Sequence, residues 1–146
     1  MDTLRIVSIA YRLDSLHGLT VVVWDGVISG DEAEDHVRAM RGDPGWPPGP
    51  RHLLDATTAR SVPTVANTKL VEMAAEAADT NRIRFAVVAN RFADSAGAFQ
   101  RRASAEGVQD VAVFADISAA STWLGVDLRS VRTALGHVRR ELRDRH

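Results

Sequence analysis

The stretch Val111-Ala112-Val113-Phe114-Ala115-Asp116-Ile117-Ser118-Ala119-Ala120-Ser121-Thr122-Trp123-Leu124-Gly125 constrains the fold most. A short apolar run stops at an acidic residue. A compact segment follows, with Ala120, Trp123 and Leu124 on one helical face, and it ends at a glycine. That order spells a strand feeding a capped helix, the repeating unit of a layered α/β domain. Trp123 is expected on the buried face of that helix.

The same grammar repeats upstream. Leu4 to Leu13 and Leu19 to Trp24 read as two strands, and the turn-rich interval Asp14 to Gly18 between them favours an antiparallel pair. Ser29-Gly30-Asp31-Glu32 fits a capping box, in which Glu32 reaches back to the cap, and opens a helix carrying Ala33, Val37 and Met40. That helix ends at Arg41 or Gly42. The glycine- and proline-rich run from Gly42 to Pro50 denies the chain regular structure and reads as a surface loop around Trp46.

Arg51 to Ala56 predicts a third strand. A helix begins near Ser61-Val62-Pro63 and buries Val62, Ala66, Leu70, Met73 and Ala77. The apolar run Phe85 to Ala89 suits a parallel strand covered on both faces, and Asp94 to Ala105 a third helix. At the end of the chain Leu128, Val131, Leu135, Val138 and Leu142 recur at spacings of three, four, three and four. This narrow seam belongs to an amphipathic helix that either docks on its own domain or helps to form a homodimer, and a homodimer is expected.

The expected order is β-β-α-β-α-β-α-β-α with one further helix. It gives a mixed α/β sheet, entered through an antiparallel hairpin and continued by β-α-β units with flanking helices. A length of 146 residues suits one domain, residues 1–125, with the helix of residues 126–146 appended to it.

Composition narrows the chemistry. A formal charge of −1 lacks the concentrated positive charge of a nucleic-acid surface. With no cysteine, disulfides, thiolate nucleophiles and cysteine-held metals are excluded. No apolar run approaches the ~20 residues of a membrane span, and no signal peptide is visible, so a cytoplasmic protein is expected. The five histidines form no metal-binding pair, and His36 and His137 are expected on solvated helix faces. No nucleophile elbow, dinucleotide fingerprint or phosphate loop occurs, so neither metal nor cofactor is expected.

Ligands of open α/β sheets approach the carboxyl ends of parallel strands, which here carry Asp55, Asn90 and Asp116. Two carboxylates and an amide allow an undescribed hydrolase. Each residue also precedes a helix, where Asp and Asn serve as caps, and that reading is preferred. The polar segment from Asp55 to Thr64 concentrates Asp55, Thr57, Thr58, Arg60, Ser61 and Thr64 between a strand and a helix. It is the candidate interaction or phosphorylation segment, although a hydroxyl-rich turn that satisfies its own backbone is the preferred reading of these residues.

Val23-Trp24-Asp25-Gly26, Leu53-Leu54-Asp55, Phe85-Ala86-Val87-Val88-Ala89 and Phe114-Ala115-Asp116 with Ala120, Trp123 and Leu124 appear in an order that resembles the SpoIIAA-like family. These small bacterial domains are related in fold to STAS domains and are compared with Sec14 lipid carriers. The resemblance covers roughly Val21 to Gly125. It implies a SpoIIAA/STAS-like fold, no cofactor, no catalytic residue, and a regulatory module that binds a protein partner. A small apolar-ligand or lipid carrier is the alternative. In STAS-type anti-sigma-factor antagonists a serine following an aspartate at the start of the second helix is phosphorylated. Ser61 and Thr64 lie there in this chain, without an Asp-Ser-Ser-Gly pattern.

Overall fold

A computed structural model describes residues 8–14, 18–45, 49–62, 64–80, 83–90, 93–108 and 110–144. The elements follow the expected order: β1 (Ile9–Asp14), β2 (Leu19–Val27), α1 (Gly30–Arg41), β3 (Arg51–Ser61), α2 (Thr64–Thr80), β4 (Arg84–Val88), α3 (Ala93–Ala105), β5 (Asp110–Phe114), α4 (Ile117–Leu124) and α5 (Leu128–Asp144). The five strands form one sheet in the order β1-β2-β3-β4-β5. β1 runs antiparallel to β2, and the remaining neighbours are parallel.

Alternation along the strands divides the apolar residues between two cores. Val22, Trp24, Leu54, Phe85 and Val87 point to one face and pack with residues of α1, α2 and α3, including Met40, Leu70, Met73 and Phe99. Val21, Val23, Leu53, Ala86 and Val88 point to the other and pack with Leu124 of α4 and with Val131, Leu135 and Val138 of α5. β2 and β4 are therefore covered on both sides, as their continuous valine-rich runs require. Arg41 and Glu76 pair between α1 and α2.

Local chemistry sets the helix ends. Ser29 Oγ accepts the Glu32 amide at 3.1 Å, so the cap forms. The Glu32 carboxylate turns outward instead of back, and accepts the Ser8 amide at 2.6 Å. In α4, Asp116 Oδ1 accepts the Ala119 amide at 2.8 Å. Gly125 closes that helix in the left-handed region, with φ of 74°, a conformation that disfavours any side chain. Arg51 and Arg84, at the starts of β3 and β4, donate to the last carbonyls of α4, Leu124 O at 2.9 Å and Trp123 O at 2.6 Å.

Several expectations need correction. Trp123 is half-buried, lying 5.6 Å from the Phe114 ring centroid with the Arg84 guanidinium 5.4 Å from its own. Ala120, Ser121 and Leu124 form the buried face instead. His36 is buried beneath α1, not solvated, and meets Tyr11 edge-on at 5.4 Å. Burial pushes its pKa down to about 4. His52 stacks on Phe85 at 5.6 Å, and burial lowers its pKa to about 4 despite a 3.1 Å contact with Gly49 O. The expected strand residues Leu4 to Val7, the loop tryptophan Trp46, and the Ala66 and Ala77 side chains lie outside what is described.

The α5 seam docks on its own domain. Val131, Leu135, Val138 and Leu142 are buried together with Ala134, against the face of β1 and β2, while Leu128 is half-buried. The burial that would have recruited a second copy is met within one chain. Of the described helices, none is long and apolar enough to cross a membrane.

Candidate functional site

β2 and β3 outrun their neighbours. The pairing of β3 with β4 stops at Asp55 opposite Val88, whereas its pairing with β2 continues through Asp25↔Thr58 and Gly26↔Ala59 to Val27↔Ser61. Two register shifts interrupt this extension, between Val23 and Asp25 and between Gly26 and Val27. Such bulges re-aim side chains at the ends of strands. Gly26 supplies the required left-handed turn, with φ of 75°.

The extension changes the meaning of the polar segment. Residues Asp55 to Ser61 continue β3 and are not a turn, and α2 starts only at Thr64. Pairing with the bulged end of β2 gives those backbone groups a ladder that local hydroxyl-rich sequence does not announce. Asp55 consequently caps no helix. It is buried, and its Oδ1 accepts the Thr57 amide at 3.0 Å and the Thr57 hydroxyl at 2.7 Å. Its Oδ2 accepts Arg139 Nη2 of α5 at 2.5 Å. Arg139 Nη1 also donates to Thr58 Oγ1 at 3.1 Å, and Nη2 lies 3.4 Å from Thr57 Oγ1. The cluster clips α5 to the sheet.

Of the six candidate residues, Asp55, Thr57 and Thr58 thus meet, joined by Arg139. Arg60, Ser61 and Thr64 are exposed further along. The Ser61 carbonyl accepts the Ile28 amide at 3.0 Å, and Thr64 opens α2 with its carbonyl accepting Thr68 Oγ1 at 3.1 Å. Asp116 is the cap that its position suggested, and Asn90 is exposed after β4. The carboxylates at the strand ends therefore hold structure: one is sealed in an ion pair and the other caps α4. Among the described residues, no three groups of His, Asp or Glu gather to hold a metal.

A cleft of about 500 Å³ opens on the extension, lined by Ser8, Asp25, Gly26 and Val27, by Glu32 of α1, and by Thr58 and Arg60 of β3. Asp25 and Glu32 are half-buried, while Thr58, Arg60 and Val27 are exposed. Among the described residues, Val27 is the large apolar side chain left exposed, at 59% accessible. A second cleft, of about 370 Å³, lies between β1 and α5 beside Tyr11, Arg12, His137 and Glu141. Burial and a 3.0 Å hydrogen bond to Asp43 raise the Tyr11 phenol to about 12, so it stays protonated.

Sequence reasoning missed Arg139 and the cleft. Arg139 adjoins Val138 of the seam, but its partner lies 84 residues away, a separation with no local signature. An acidic-glycine pair, Asp25-Gly26, follows the valine run and is the local sequence signal that could have marked the bulge.

No protein-family model and no curated protein matches the chain. Among solved structures it is similar to an uncharacterised protein of the DUF3478 family with a SpoIIAA-like fold, from Shewanella loihica PV-4. The two chains are 16% identical and superpose with a TM-score of 0.58, over 85% of this chain and 98% of the other. The chain has a SpoIIAA-like fold.

Proposed function

We propose that the chain is a non-enzymatic, STAS-like binding and regulatory module that works through contacts with a partner protein. The observation that carries this reading is the overhanging end of β2 and β3. It presents Val27, Thr58, Arg60 and Ser61 to solvent on a rigid parallel pair, with Thr64 following at the start of α2. Polar groups around one apolar side chain match the mixed composition of a non-obligate protein contact, which is about as apolar as ordinary protein surface. The site also lies at the carboxyl ends of parallel strands, where α/β sheets bind.

Catalysis draws no support from the same geometry. Asp55 already accepts from Arg139 and from two groups of Thr57, which leaves it poorly placed to take a substrate proton. An apolar carrier is less favoured because both described clefts are open to solvent and carry charged side chains in their linings, unlike an enclosed apolar cavity. The α5 seam, covered by its own sheet, gives no reason to invoke a homodimer.

Native mass spectrometry of protein recovered gently from its own cells tests the reading. A stoichiometric protein complex that is lost in a Val27→Asp, Arg60→Glu double variant is expected. A bound lipid in otherwise bare protein would replace the reading with the carrier.

A further inference from the structure

We propose that the cleft on the β2–β3 extension binds a basic α-amino acid, its carboxylate on Arg60 and Thr58 and its two cationic groups on Asp25 and Glu32. This goes beyond partner binding, since it assigns a small-molecule ligand to the cleft. At about 500 Å³ the cleft falls within the ~300–1,000 Å³ common for such sites. Two carboxylates and one guanidinium line it. A basic amino acid carries the complementary set, one carboxylate and two cations, whereas a dicarboxylate meets net repulsion.

The individual groups are free to serve. Among the described residues, neither Arg60 nor Asp25 has an ion-pair partner for its side chain. Glu32 Oε2 accepts the Ser8 amide, which leaves the other carboxylate oxygen for a cation. Thr58 Oγ1 accepts from Arg139, so its own proton is left to donate to a ligand carboxylate. The glycine at position 26 matters as well. A Cβ there would lie 3.8 Å from Arg60 Nη2, so the guanidinium sits over the bare bulge of β2 and faces the cleft. Val27 adds an apolar wall for the aliphatic part of the ligand.

Calorimetric titration of the full chain with L-arginine at low ionic strength tests the proposal. The expected dissociation constant lies between about 10 μM and 1 mM. Agmatine, which lacks the carboxylate, and N-acetyl-L-arginine, which lacks the α-ammonium, are each expected to bind at least about tenfold more weakly. Arg60→Gln and Asp25→Asn are expected to weaken L-arginine by a similar factor. Arg60 is exposed, so its variant keeps the fold, checked by an unchanged melting temperature. No saturation up to about 10 mM overturns the proposal. Undiminished binding of agmatine, or L-arginine binding that survives both substitutions, overturns it equally.

Discussion

Removing Arg139 should expose how α5 is held. In Arg139→Ala the Asp55 carboxylate, whose side chain is 4% accessible, keeps only the Thr57 amide and hydroxyl as donors. Stripping one partner from a fully buried pair costs about 3–5 kcal/mol. The Arg139 side chain is 31% accessible, so water screens part of the attraction and can enter its place. A loss of about 2–3 kcal/mol is expected, or roughly 6–12 °C in melting temperature for a chain of this length. Urea unfolding of the parent, Arg139→Ala, Asp55→Asn and the double variant completes the cycle. With Asn at position 55 no buried charge is stranded, so removing Arg139 there should cost less than about 1 kcal/mol. An equal cost in both backgrounds, or a loss below about 0.5 kcal/mol in the parent, would refute the clip.

Acid should weaken the fold in a defined window. His36 and His52 are neutral when folded, with pKa values near 4, and take protons near 6.5 when unfolded. Their contribution is complete above pH 6.5 and is lost as the pH falls toward 4, by up to about 1.4 kcal/mol per pH unit for each histidine, a slope that pH-dependent denaturation of a His36→Phe variant should show reduced. Leu124→Ala should cost about 2–5 kcal/mol and Trp123→Ala less, by thermal unfolding, because Leu124 is buried and Trp123 half-exposed. A chain ending at Gly125 should fail to give a folded monomer in sedimentation and circular dichroism. It leaves Ala10, Val21 and Val23 without α5, and each apolar side chain of the lost seam contributes about 1.5–3 kcal/mol.

The sequence exposed what depends on near neighbours. Asp116 and Gly125 bracket α4 because capping is decided within four residues, and the apolar run of β4 announced burial on both faces. The seam of α5 was equally plain, but whether its cover came from the same chain or a second one is a question of tertiary space. Asp55 shows the limit more sharply. Its position before hydroxyls and a helix suggested a cap, yet its ladder partner on β2 and its counterion on α5 come from opposite ends of the chain. His36 followed the same rule: its polar ring suggested solvent, while the helix geometry set it between Ala33 and Met40 on the buried face. Trp123 erred the other way: Ala120, Ser121 and Leu124 take the buried face of α4, and the indole packs at its edge beside Phe114 and Arg84.

The central claim is that the overhang of β2 and β3 is where the module meets its partner. Photo-crosslinking in living cells tests it directly, with a photoreactive amino acid at Val27 on the overhang or at Ser104, exposed on α3. The account predicts a discrete protein adduct from position 27, abolished by Arg60→Glu, and none from position 104. Adducts from position 104 alone, or an adduct from position 27 indifferent to Arg60→Glu, would contradict it.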